Sequence, residues 1–533
     1  MKEYVIKVRA PYLVLPVSDK GERHHLCIFR NGEMIDDFAL RLDYDNPVSY
    51  SFYPIGEWMG EEISVGVKPD DVFYDRQTFS PVHGGRGEEF RPYVHFAPEY
   101  GWSNDPNGLL KYTSPVTGKT VWHLYYQQNP YDWVWGNLHW GHAVSEDLVH
   151  WKHLPTVLYP DSEGTMFSGS AVIDKENRTG LKTGKEDLIC VFYTCAGGES
   201  YVSDGKRFTQ CMAYSNDGGM TFKKYENNPV VNHIKEHNCD PNVIWCRDIG
   251  KYVMVLYLDA GEYALLVSDN LTDWEEKKRF MIEGEREVPD FFPLNPDGDP
   301  EKRKWVITGS SNTFLVGEWK DGEFEIIQET RRMNYGYSAY AAQTFTVDDG
   351  EEIIQMSWNR WMNFGNATFC GRMGFPCRLS LTEDEDGYAL RAEPIDTDFI
   401  TADVKTFENA EIDGEGGFLH PLCESAYDVS LKLKPEECGE KIKLSLFGHD
   451  VSIEFGEENL IKSDNAAMPF GISEECADIR FIVDKGAVEI FANGGRSIMT
   501  VPWTPDFRRG SLEITSERGK SIIRLLTIKR LQK

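Results

Sequence analysis

Apolar and polar residues alternate along most of this chain in short runs broken by Gly, Pro, Asn and Asp. That is the pattern of strands with one buried face, and no helical periodicity of useful length interrupts it. Residues 1–88 carry such runs at 4–8, 12–17, 25–29, 34–42 and 63–67, with Arg30-Asn31-Gly32-Glu33 as a hairpin signal, because Asn-Gly accepts the positive φ of a tight turn. This stretch is predicted to form a small N-terminal β domain.

Beyond it the runs fall into a repeat of five units. First strands are predicted at 108–112, 168–174, 242–246, 291–294 and 340–347, and second strands at 122–127, 188–194, 252–258, 305–309 and 353–358. In three units the third strand runs into a polar turn and then an aromatic: Ser145-Glu146-Asp147-Leu148 before Trp151, Ser215-Asn216-Asp217-Gly218 before Phe222, and Ser268-Asp269-Asn270-Leu271 before Trp274. A fourth, outer strand after that turn makes each unit a propeller blade. The prediction is an all-β protein: a five-bladed β-propeller over 89–394, then a C-terminal β-sandwich over 395–533, where evenly spaced strands return with Asn493-Gly494-Gly495 as a turn.

Composition narrows the partners. Acidic residues number 86 against 56 basic ones, a formal charge of −30, so nucleic acid and anionic membrane are not expected. The 14 Trp and 25 Tyr suit flat sugar rings as well as cores. Eleven Cys, an odd number with no C-x-x-C pair, read as free thiols of a reducing compartment. The segment from Met1 to Arg9 has no apolar run of signal-peptide length, and no stretch reaches the roughly 18 apolar residues of a bilayer span. A cytoplasmic location is therefore the expectation, with a homo-oligomer left open.

In a propeller the first strands line a central channel, so residues just before them gather at one mouth. Asp105, in the rigid turn Asn104-Asp105-Pro106-Asn107-Gly108, precedes the first strand of blade one. Asp240, in Cys239-Asp240-Pro241, and Glu287, in Arg286-Glu287-Val288-Pro289, hold the same place in blades three and four. A proline within two residues of each acid stiffens its approach. Converging carboxylates can hold a divalent cation or run glycoside hydrolysis, and the aromatic supply favours sugar. His139 and His142, three apart on a strand, face opposite sides and read as packing, so no metal is assigned, and no phosphate-cradling loop calls for a cofactor.

Phe90-Arg91-Pro92 with His95-Phe96, followed by Trp102-Ser103-Asn104-Asp105-Pro106-Asn107-Gly108, resembles the opening signature of glycoside hydrolase family 32, the β-fructofuranosidases. Blocks in the family's order continue through Tyr126-Gln127-Gln128-Asn129-Pro130, Trp135-Gly136-Asn137, Trp140-Gly141-His142-Ala143, Phe167-Ser168-Gly169-Ser170 and Ala341-Ala342-Gln343 to Glu489-Ile490-Phe491. The resemblance implies a propeller followed by a sandwich. It further implies Asp105 as nucleophile, Glu287 as general acid/base and Asp240 as the stabiliser that hydrogen-bonds sugar hydroxyls, with Asn104, Gln127, Trp135, Trp140, Phe167 and Ser168 shaping the terminal fructose pocket. Two departures flank the acids: Cys239 stands where the family usually carries Arg, and Val288 where it often carries Cys. Arg286 is a candidate to replace the missing guanidinium.

The expected activity is a retaining glycosidase that releases terminal β-D-fructofuranosyl units from sucrose, fructo-oligosaccharides or fructans, a small-molecule fructoside being the partner. Transfer of the fructosyl unit to a sugar hydroxyl, fructan binding with weakened catalysis, and action on a related furanoside are the alternatives. Retention calls for carboxyls about 5 to 6 Å apart. It also needs an ionised nucleophile beside a protonated acid, and the amides around Asp105 are expected to favour its anion.

Overall fold

The computed structural model describes residues 1–69, 78–81, 88–348, 350–360, 367–414 and 416–532. The first sheet is organised on one long strand, Tyr12–Arg30, where the sequence pattern suggested two separate runs. Its first half pairs with Ser49–Pro54 and Thr78–Ser80, its second with Glu33–Leu42 and Glu62–Lys68. Asn31 and Gly32 turn the hairpin with φ of 53° and 83°, as the Asn-Gly signal requires.

Five antiparallel sheets follow in chain order, each built outward from an innermost strand: Gly101–Thr113, Thr165–Asp174, Cys239–Cys246, Asp290–Leu294 and Ala339–Thr344. Each innermost strand touches the next, and the fifth returns to touch the first. The ring is sealed where Lys111 N donates to Thr346 O at 3.0 Å and Thr346 N to Leu109 O at 2.8 Å. A further strand, Phe369–Cys370, runs parallel beside Gly101 and Trp102 as an extra member of blade one. This is a closed five-bladed propeller.

Burial explains the sequence texture. The second strand of blade two, Leu188–Ala196, is buried at every position because neighbouring blades cover both its faces, so it reads as a continuous apolar run. The repeated polar turn is a hydrogen-bonding unit. Ser145 Oγ accepts from Leu148 N and Ser268 Oγ from Leu271 N, both at 2.8 Å, and the indoles of Trp151 and Trp274 donate back to the carbonyls of Leu148 and Leu271 at 2.9 and 3.0 Å.

The C-terminal part stacks two six-stranded sheets. Strands such as Lys441–Leu446 and His449–Glu454 alternate buried and open positions, and the inward residues, among them Leu444, Ile453, Phe481 and Ile514, fill the space between the sheets. The sandwich meets the propeller around a buried carboxylate, Asp484, which accepts from the backbone of Tyr93, Val94 and His95.

Candidate active site

The sequence pattern puts each acid just ahead of a strand; the structure bears this out for Glu287 and corrects it for Asp105 and Asp240. The innermost strand of blade one begins at Gly101, so Asn104 to Gly108 form no free turn. They lie within the strand, where the ladder slips between Ser103 and Pro106 and again between Asn107 and Leu110. Equivalent slips fall between Met166 and Gly169, Cys239 and Asn242, and Tyr340 and Gln343. Four of the five innermost strands thus carry a bulge at one level of the channel, holding Asn104-Asp105, Phe167-Ser168, Asp240-Pro241 and Ala341-Ala342. A bulge frees side chains from the in-out alternation and turns them toward the channel mouth.

Blade four reaches the same end by another route. Its strand starts at Asp290, and just before it Glu287 and Val288 adopt φ of 43° and 39°. Asp240 and Ala341, at 60° and 50°, are also left-handed. Each such non-glycine residue costs about 1 to 2 kcal/mol, and here the cost falls on the acids or beside them. At the second slip of blade one, Gly108 has φ 49° and a Cβ there would lie 2.9 Å from the Tyr125 ring, so only glycine fits.

Hydrogen bonds fix the acids. Ser168 donates to Asp105 Oδ2 at 2.6 Å. Asp240 Oδ2 accepts from the Cys239 thiol and from Val288 N, both at 3.1 Å, while its own N–H donates to Thr194 Oγ1 at 2.9 Å. Arg286 is exposed, and the side chain that donates to Asp240 from the preceding position is the Cys239 thiol. Glu287 Oε1 accepts from the Tyr340 hydroxyl at 2.5 Å. Tyr340 and Thr194 escaped the sequence reading. Tyr340 stands directly before the bulge of its blade, the place Cys239 occupies in blade three, and that register match was the available signal.

The three acids feel one another. Burial pushes the Asp105 carboxyl up to about 7; the Glu287 charge adds to this, and hydrogen bonds from Ser168 and Asn104 oppose it. Burial raises Asp240 to about 8, reinforced by Glu287 and Asp105 and opposed by Cys239 and the Val288 N–H. The expectation that neighbouring amides would favour the Asp105 anion therefore gives way to burial, which outweighs the few donors supplied.

The other pocket candidates divide into two layers. Trp135 is 50% exposed and meets the half-buried Phe167 edge-on at 5.9 Å. Asn104, buried beside Asp105, accepts from the Trp102 indole at 2.9 Å. Trp140 and Gln127 are fully buried: the Trp140 indole donates to Phe167 O at 2.9 Å and the Gln127 amide to Met166 O at 2.8 Å. They back the bulge that carries Ser168 and present no surface themselves. His139 and His142 are both buried, His142 stacked on Tyr125 with ring centroids 4.4 Å apart. A cavity of about 430 Å³ lies elsewhere: it is lined by Ser170, Asn242 and Gln343, together with Trp245 and Arg178, but by none of the three acids.

Three carboxyls gathered at one mouth of a propeller channel make an arrangement able to run glycoside hydrolysis. Residues 95–394 match the Glycosyl hydrolases family 32 N-terminal domain, and the chain belongs to that family. It is 32% identical over 496 residues to a levanase of Bacillus subtilis, an alignment covering 84% of this chain and 71% of the relative. It is 31% identical over 412 residues to a fructan beta-fructosidase of Streptococcus mutans, covering 71% of this chain and only 26% of that longer protein. Among solved structures, a beta-fructofuranosidase from Schwanniomyces occidentalis complexed with fructosyl-erythritol superposes with a TM-score of 0.72 at 25% identity, over 84% of this chain and 99% of the other.

Proposed function

We propose that this chain is a retaining β-fructosidase that removes terminal fructosyl units from fructans, fructo-oligosaccharides and sucrose. The observation that carries the reading is the meeting of Asp105, Asp240 and Glu287 at one mouth, each with a different donor set. Asp105 attacks the anomeric carbon while Glu287 delivers a proton to the leaving oxygen; Glu287 then takes a proton from the water that releases fructose. Ser168 keeps one Asp105 oxygen occupied and so directs the other at the sugar. Asp240 accepts from fructose hydroxyls, and its bonds to Cys239 and Val288 hold it in place. Phe167 gives the terminal sugar an apolar wall that the exposed Trp135 extends outward, Asn104 gives a polar contact, and Gln127 and Trp140 position that wall from behind.

The names of the two relatives, a levanase and a fructan beta-fructosidase, support fructans as the substrate class. Asp105→Ala and Glu287→Ala are each expected to lower the hydrolysis of levan, kestose and sucrose by about 10³-fold or more while the fold is retained. Near-wild-type turnover in either variant rejects the assignment.

A further inference from the structure

The N-terminal sheet takes no part in the chemistry above, yet it is fastened to two loops at the acid mouth. Antiparallel strand order brings the connection between second and third strands of every blade to the end where the innermost strand begins. In blade one that connection is 130–138, and in blade two it is 197–208.

The fastening to blade one is buried and polar. Asp36, on the strand Glu33–Leu42, is 0% exposed. Its Oδ1 lies 2.8 Å from His139 Nε2 and its Oδ2 accepts from the Tyr131 hydroxyl, so one carboxylate ties both ends of the 130–138 connection. Asn137, with φ 46°, supplies a second tie. Ala39 N donates to its Oδ1 at 2.7 Å and its Nδ2 donates to Ala39 O at 2.9 Å, a sheet-like rung made by a side chain. The Tyr131 ring packs 4.2 Å from Phe38 and 5.3 Å from Tyr53. On blade two, Lys68 Nζ donates to the Tyr201 hydroxyl at 3.0 Å and sits 4.3 Å from its ring centre.

Between the two fastenings runs an aromatic row. Trp135 meets Phe167 at 5.9 Å, and Phe167 meets Phe208, at the end of the blade-two connection, at 5.3 Å. Trp135 stands on a connection that offers it little cover, so its position depends on how firmly 130–138 is held. The terminal-unit groups do not depend on the N-terminal sheet: Asp105, Ser168 and Asp240 sit on bulges bonded within the propeller.

We infer that the N-terminal sheet is a specificity brace, in which Asp36 is a positioning residue that holds Trp135 where the units of a fructan beyond the terminal one lie. The inference rests on the fructosidase reading of the site. It requires the brace to matter for a long levan and little for sucrose.

The test uses Asp36→Asn and Asn137→Ala in the full chain, with steady-state kinetics on sucrose and on levan and amide exchange across 130–138. The expected result is a levan KM raised about 5- to 20-fold, a sucrose kcat within about twofold of wild type, and faster exchange in 130–138. An equal loss on both substrates with a lowered Tm would assign Asp36 to fold stability alone and overturn the brace, as would unchanged exchange. If Asp36→Asn does not fold, Asn137→Ala and Lys68→Ala carry the same readouts. A wild-type chain that turns over no fructoside removes the functional reading, whereas the exchange measurement still decides the brace.

Discussion

Two clusters of buried carboxylates, one at the channel mouth and one at the junction with the sandwich, are treated by the protein in opposite ways. At the junction with the sandwich, Asp484 accepts from the backbone of Tyr93, Val94, His95 and Lys485 and from the His95 ring. Glu489 accepts from Asn359 and Phe375 N and pairs with Arg372 at 3.5 Å. Burial alone would raise both carboxyls, but the His95 and Arg372 contacts outweigh it and hold them below the ordinary carboxylate range. At the channel mouth burial wins, and Asp105 and Asp240 rise. The difference lies in donor supply: a carboxylate saturated with donors is a rivet, and one left short of donors keeps its proton exchange for chemistry.

The largest effect expected from breaking this contrast is on stability. Asp484→Ala strands the buried backbone donors of Tyr93, Val94 and His95 and the His95 ring, and should cost about 3 to 5 kcal/mol in urea unfolding, with activity per folded molecule retained. Because the Asp484 pKa is lowered, its contribution is present above the ordinary carboxylate range and lost only as pH falls far below it. At the mouth, Tyr340→Phe removes the donor to Glu287 Oε1 and is expected to reduce kcat about 10- to 100-fold with little change in Tm, read by kinetics and a thermal melt.

Ser168→Ala removes a hydrogen bond that favours the Asp105 anion, so the Asp105 pKa rises further and the acidic limb of the kcat/KM profile moves up by about 1 pH unit. The smallest effect is a gain. Asp240 is raised to about 8, so its stabilising contribution is present below the unfolded carboxylate pKa and is lost as pH rises through about 8. Asp240→Asn should therefore melt a few degrees above wild type at pH 9, match it near pH 4, and lose activity.

Much of this was legible in the sequence because β-structure repeats its own signals. The Ser turn with its following aromatic marked three blades, and in two of them it proves to be the same hydrogen-bonded unit. The three acids were found by their shared place in the repeat. Strand starts were not: the polar pairs Asn104-Asp105 and Asp240-Pro241 interrupt alternation, so the pattern began the strands of blades one and three several residues late. A bulge has no hydrophobic period to announce it. Tyr340 was hidden for a related reason, since one aromatic on an inner strand reads as core until Glu287 is seen beneath its hydroxyl. The donor balance around Asp105 was also out of reach, because burial depends on residues distant in the chain.

Blade one has a member that the chain makes very late. Phe369 and Cys370 lie beside Gly101 and Trp102, and Thr346 bonds to Leu109 and Lys111. On a ribosome, the strand bearing Asp105 is the first of the propeller to emerge and waits, with one edge open, until four further blades have been largely synthesised. Asp105 is therefore among the first parts of the candidate site to be made and among the last to be enclosed, which ties completion of that site to completion of the ring.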